Sequence, residues 1–297
     1  MRTSLKHVPA LSERAGVPVY LKLESQQPTG AFKLRGAWNF VRQLPPEVRD
    51  RGVITYSSGN HGQAVAFAAQ RVGARAVVVM PETVPAVKIE GVERWGGEVM
   101  FAGTTSEDRY VRAMELAEEQ GLTSVPPFDH PHIIAGQGTV GLEIVEELPS
   151  VAHITVPVGG GGLIAGITTA VKALNPNLRV TAVEPENAAA LGAALAAGRP
   201  VRLDETSSIA DGLLPLSVGT LTFEHLKGHV DAVAVTDSAI AEATVWLHEE
   251  QGELVEPSGA ATTAALRSGV LEPAGPTVLV VSGGNVDPSL IAGLADT

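Results

Sequence analysis

A chain of 297 residues is long enough for two domains, and 44% hydrophobic with 18% charged residues supplies a buried core and argues against disorder. The net charge of -12, with no basic patch, excludes a nucleic-acid role, and the absence of cysteine excludes disulfides and thiolate metal sites. No apolar run reaches about 18 residues and Met1 to Lys6 lacks a signal-peptide core, so a cytoplasmic protein with no membrane partner is expected.

Short β-branched runs alternate with alanine-rich helical patterns. Strands are expected over 53–56, 76–80 and 98–101, with helices over 61–72, 85–95 and 106–119, the last stopped at Gly121. The second half repeats the pattern: strands over 153–158, 179–183, 232–235 and 277–281, and helices over 163–174, 188–197, 238–251 and 259–268. Continuous apolar strands separated by helices indicate an α/β fold of mostly parallel sheets flanked by helices. The proline-marked stretches Leu44-Pro45-Pro46 and Asp129-His130-Pro131 delimit an inserted small domain over 47–130, leaving 1–46 plus 131–297 as the large domain.

In parallel sheets ligands sit where strands turn into helices. Pro28-Thr29-Gly30-Ala31-Phe32-Lys33-Leu34-Arg35 places a lysine between a glycine turn and a helix start, beside an aromatic ring and a second cation. Apolar surface and a neighbouring positive charge disfavour the ammonium, so Lys33 is poised as a free amine fit for a Schiff base with an aldehyde cofactor. Alone, the stretch fits a surface lysine after a turn equally well.

Pro157-Val158-Gly159-Gly160-Gly161-Gly162-Leu163 leaves a strand and opens a helix. Successive glycine N–H groups can converge there on one anion, with the helix dipole in support. In so acidic a chain an anion must be held by such local groups. No Gly-Lys-Ser/Thr follows, so this is not a Walker loop. Gly160, Gly162 and Ala165 with Glu184 formally fit a dinucleotide fingerprint, which leaves Lys33 unexplained. Tyr56-Ser57-Ser58-Gly59-Asn60-His61 supplies hydroxyl, amide and bare N–H groups at a helix start, a cradle for a carboxylate; simple helix capping by Ser57 or Ser58 is the plainer alternative. Ser282-Gly283-Gly284-Asn285 ends the last strand. His130 and His132 flank a proline and read as structural.

Together these segments, with Phe128-Asp129-His130-Pro131 and Ile209-Ala210-Asp211-Gly212, resemble the threonine/serine dehydratases among the fold-type II pyridoxal-phosphate (PLP) enzymes, in the branch that includes the serine racemases. Ala31 stands where that family usually has serine. The resemblance runs from residue 28 to 285 and implies a two-domain, tryptophan synthase β-like fold. It implies Lys33 as the cofactor lysine and base, and Phe32 as a wall of the cofactor ring. Gly159, Gly160, Gly161, Gly162 and Leu163 would hold the phosphate, Asn60 the ring oxygen and Ser282, a neutral hydroxyl, the ring nitrogen. Ser57, Ser58, Gly59, Asn60 and His61 would bind the substrate carboxylate.

The implied reaction is α,β-elimination of L-threonine or L-serine to 2-oxobutyrate or pyruvate and ammonia. The rivals are a serine or aspartate-type racemase with side dehydratase activity, in which Ser58 is the second acid, a 3-hydroxyaspartate dehydratase, and a non-catalytic PLP carrier. Relatives often hold a divalent cation on a Glu, a carbonyl and an acidic side chain. Here these positions are Glu184, Ala188 and Ala190, so the acidic ligand is missing and only Glu184 and Ala188 remain as candidates. A homodimer acting on a small hydroxy amino acid is implied. The chain begins near the relatives' first strand, and feedback through a C-terminal regulatory domain is not expected.

Overall fold

The computed structural model describes residues 1–57, 59–273 and 275–295. The chain divides into two units, one made of Met1–Phe32 with Gln137–Thr297, the other of Lys33–Gly136. In chain order the strands are β1 (Leu5–His7), β2 (Val19–Leu23), β3 (Val53–Thr55), β4 (Ala76–Met80), β5 (Glu98–Phe101), β6 (Thr123–Ser124), β7 (His153–Pro157), β8 (Arg179–Pro185), β9 (Asp231–Val235) and β10 (Thr277–Val281). The helices that position the features below are α1 (Lys33–Val41), α2 (Asn60–Val72), α3 (Ser106–Gln120), α4 (Pro131–Glu147), α5 (Gly162–Leu174), α6 (Ala190–Ala197), α7 (Thr220–Leu226), α8 (Asp237–Glu249) and α9 (Pro257–Arg267).

The first unit holds a six-stranded sheet in the order β1-β2-β10-β7-β8-β9. Only β1 runs antiparallel to its neighbour; the rest are parallel, with Val278 opposite both Tyr20 and Ile154. Every residue of β7 and β10 is buried. Their near-continuous apolar sequences reflect a sheet covered on both faces. α9 is buried from Pro257 to Leu266. Its small residues Ala260, Ala261 and Ala264 join a core with Leu21, Leu23, Leu279 and Val281, where each fully buried Leu or Val contributes on the order of 2 kcal/mol. Because β10, β7 and β8 are parallel neighbours, the segments that follow them leave the sheet at one shared edge.

The second unit holds a four-stranded parallel sheet, β5-β4-β3-β6. Leu34, Ala37, Phe40 and Val41 of α1 pack in one cluster with Ala64, Val65, Phe67 and Ala68 of α2 and with Val53, Val78 and Met80. That cluster explains where the chain divides. The two units divide at 32/33 and 136/137, and the apolar face of α1 belongs to the core of the second unit.

The α/β class is the expected one, and helix ends agree within two or three residues. Two differences are larger. Residues 188–197, expected as one helix, form a 3-10 turn at Glu186–Ala188 and then α6. Residues 131–147, for which only a proline-marked boundary at the start is expected, form the helix α4. Its glycines allow close approach: a Cβ on Gly136 would lie 2.5 Å from the Arg35 carbonyl oxygen.

Candidate active site

Lys33 is the first residue of α1. The preceding segment is fixed to the end of β10 in the first unit. Phe32 N–H donates to the Ser282 carbonyl (3.0 Å), Gly284 N–H to the Gly30 carbonyl (2.9 Å), and Ala31 and Gly283 form an isolated antiparallel bridge. Asn285 Nδ2 donates to the Thr29 carbonyl at 2.7 Å. Gly30 adopts a φ of 71°, a left-handed turn that favours glycine. The lysine therefore enters its helix from a backbone clamped beside Ser282, which is itself buried.

Within the second unit, Lys33 Nζ donates to the Pro127 carbonyl at 2.7 Å. Burial of the amine lowers its pKa from 10.5 to about 8, since desolvation disfavours the charged form. The second cation expected to contribute, Arg35, does not enter; burial is the cause. Pro127 carries no sequence signal, because a backbone carbonyl acceptor is available from any residue.

His61 lies in the first turn of α2, 3% exposed. Its Nε2 is 3.0 Å from the Val125 carbonyl. A carbonyl only accepts, so Nε2 carries the proton and Nδ1 is left as an acceptor. That Nδ1 is buried without a hydrogen-bond partner among the described residues. Burial and then the Lys33 charge push the His61 pKa down to about 3, against the opposing Val125 hydrogen bond. His61 is therefore a neutral ring. The cap of α2 is Gly59, which has no side chain to cap with; Ser57 Oγ accepts from the Gly59 N–H at 3.4 Å just ahead of the helix. Asn60 is the first residue of α2. Ser58 lies outside the described residues.

In the first unit the glycine loop joins β7 to α5. A Cβ on Gly159 would meet Pro215 Cδ at 3.0 Å and the Gly212 carbonyl oxygen at 3.1 Å. Gly161 caps α5 with φ 89° and ψ -5°, a conformation costly to any residue with a Cβ. The first N–H groups of α5 have no partner inside the helix, the arrangement that suits a helix start to an anion. Leu163 is buried in the first turn. Ser282 leaves the neighbouring strand at the same sheet edge.

Glu184, at the end of β8, accepts from Leu191 N–H (2.7 Å) and Gly192 N–H (2.8 Å). Burial raises its pKa to about 7, opposed by those two hydrogen bonds. Both carboxylate oxygens thus cap α6, and the Ala188 and Ala190 positions beside it are buried and apolar. Among the described residues no group of three His, Cys, Asp or Glu side chains could hold a metal. No described helix is long and apolar enough to cross a membrane.

The second unit thus holds a lysine whose amine is easily deprotonated, and the first a glycine-rich helix start of the kind that suits an anion. Residues 1–283 match the family described as pyridoxal-phosphate dependent enzyme, and the chain belongs to it. Among its relatives, the L-threonine ammonia-lyase of Thermotoga maritima is 43% identical over 291 residues, covering 98% of this chain and 73% of that one. The solved structure of maize serine racemase superposes with a TM-score of 0.95 at 37% identity, covering 100% of this chain and 92% of that chain. The processed form of threonine deaminase isoform 2 from Solanum lycopersicum superposes with a TM-score of 0.94 at 38% identity, covering 100% of this chain and 83% of the other.

Proposed function

We propose that this protein is a PLP-dependent ammonia-lyase that converts L-threonine to 2-oxobutyrate, and L-serine to pyruvate, with release of ammonia. The observation that carries the reading is Lys33, an amine lowered to about 8 by burial at the start of a helix whose entry is clamped beside Ser282. The 43% identity to an L-threonine ammonia-lyase over 98% of the chain supports the substrate class.

The N–H groups of Gly159, Gly160, Gly161, Gly162 and Leu163 would hold the cofactor phosphate, Ser282 its ring nitrogen and Asn60 its ring oxygen, with Phe32 against the ring. When bound, pyridoxal phosphate supplies an electron-withdrawing ring that acidifies the substrate Cα–H. Ser57, Ser58, Gly59, Asn60 and His61 would orient the substrate carboxylate. His61 is neutral at working pH and donates from Nε2 to Val125, so it contributes a dipole and no charge. The Lys33 amine, whose pKa burial lowers, would be the base that takes the Cα proton. The β-hydroxyl leaves with a proton as water, and the enamine left behind takes up one water to give the keto acid and ammonia. The unit holding the six-stranded sheet would serve as the cofactor domain and the smaller unit as the carboxylate domain. A homodimer in the cytoplasm completes the proposal, on the resemblance alone.

The likeness to maize serine racemase favours a second reading, in which Ser58 delivers a proton to the opposite face of Cα. Purified enzyme assayed on L-threonine, L-serine, D-serine and 3-hydroxyaspartate, for both keto acid and chirality, tests the pair. Keto acid and ammonia in equal amounts from L-threonine are expected. No keto acid from any of the four would overturn the lyase. D/L interconversion that is lost in Ser58→Ala, with elimination retained, would establish the second activity.

A further inference from the structure

We propose that Thr222 is a positioning residue for the cofactor phosphate, locking the Gly160–Gly161 peptide so that its N–H faces the anion. This rests on the reading that the glycine loop binds that phosphate.

Thr222 lies in the short helix α7 and is fully buried. Its hydroxyl stands 3.0 Å from the Gly160 carbonyl oxygen and 2.9 Å from that of Gly219. The Gly219 N–H also donates to the Gly160 carbonyl, at 3.2 Å. The 219–222 segment thus reaches one loop carbonyl with the Gly219 N–H and with the Thr222 hydroxyl, whose single proton is shared between the Gly160 and Gly219 carbonyls. No peptide bond in the described chain is cis, and in a trans peptide the N–H points opposite to the C=O. Holding the Gly160 carbonyl toward α7 therefore fixes the Gly161 N–H pointing away from it.

Gly161 then opens α5, whose hydrogen-bonded ladder begins only at Ala165 N–H to the Gly161 carbonyl, 2.9 Å. The earlier N–H groups of the turn are left for a ligand. A Cβ on Gly161 would lie 3.0 Å from Thr222 Oγ1 and 3.2 Å from Thr222 Cβ, so Thr222 packs directly beneath the loop. The lock matters because four successive glycines have no Cβ to restrict them. Peptide flips there meet little steric resistance, and each alternative orientation aims a carbonyl where an N–H is needed.

The expected signature is selective. Losing the lock weakens any ligand that carries the phosphate and spares one that lacks it. Full-length apoenzyme is titrated with pyridoxal phosphate and with pyridoxal, and the ratio of the two Kd values is read. Thr222→Val keeps the shape and removes the hydroxyl. It should weaken pyridoxal phosphate binding by about 5- to 10-fold, the worth of one hydrogen bond, with pyridoxal affinity held and Thr222→Ser restoring the ratio. If Thr222→Val does not fold, Thr222→Ala is read in the same way. An unchanged ratio, or equal weakening of both ligands, would overturn the proposal. If the wild type itself fails to prefer pyridoxal phosphate, the glycine loop is not the phosphate site, and the underlying reading falls together with the role of Thr222.

Discussion

Replacing Lys33 with methionine in the apoprotein should reverse its effect on stability across the pH range. The buried amine titrates at about 8 in the folded chain and at 10.5 in its ordinary state. Below pH 8 both states are protonated, and the folded state bears the cost of the buried charge, about 3 kcal/mol. Between pH 8 and 10.5 the unfolded chain binds more protons than the folded one, so stability rises with pH and the cost is gone above that window. Methionine has nearly the same length and never carries the charge, but it leaves the Pro127 carbonyl without its 2.7 Å donor, a loss of about 1 kcal/mol. Lys33→Met should thus be about 2 kcal/mol more stable than wild type at pH 7 and about 1 kcal/mol less stable above pH 10.5. Urea denaturation of the two apoproteins at both pH values measures the difference from the midpoints. Parallel pH profiles, or a variant less stable at pH 7, would refute the claim that burial sets the character of this amine.

Two further outcomes follow from the same geometry. Gly161→Ala meets both a left-handed backbone and a Cβ 3.0 Å from Thr222, whereas Gly198→Ala meets φ 69° with nothing within 4 Å. Thermal melts should show about 1 kcal/mol lost at Gly198 and about 3 kcal/mol at Gly161; equal losses would show that the loop is not packed as described. With both Glu184 oxygens committed to Leu191 and Gly192, a chelator should leave melting temperature and turnover unchanged. Restoration by Mg²⁺ of a chelator-induced loss would show that the carboxylate also serves a cation.

Much of the fold is legible in the chain because buried parallel strands cannot hide their composition: β4 and β10 are runs of apolar residues and threonine, and β7 adds only His153 at its start. β2 escapes for a physical reason. Lys22 interrupts Val-Tyr-Leu-Lys-Leu in the manner of a solvent-facing residue, yet it is fully buried, with Nζ 2.8 Å from both the Thr3 carbonyl and a Glu143 oxygen and 3.5 Å from Glu147. Its two carboxylate partners lie more than a hundred residues away, which no local pattern reveals.

The site divides along the same line. Residues whose own chemistry or backbone freedom is needed, such as Lys33 and the four glycines, announce themselves. Residues that act by offering a carbonyl or bracing a loop, such as Pro127, Val125 and Thr222, are specified only by tertiary contact.

The central claim is that Lys33 carries the cofactor, and reductive trapping tests it most directly. Holoenzyme treated with borohydride, digested and mapped by mass spectrometry should yield a phosphopyridoxyl group on Lys33. Modification of Lys6, Lys22, Lys88, Lys172 or Lys227 in its place, or of no lysine, would contradict the account.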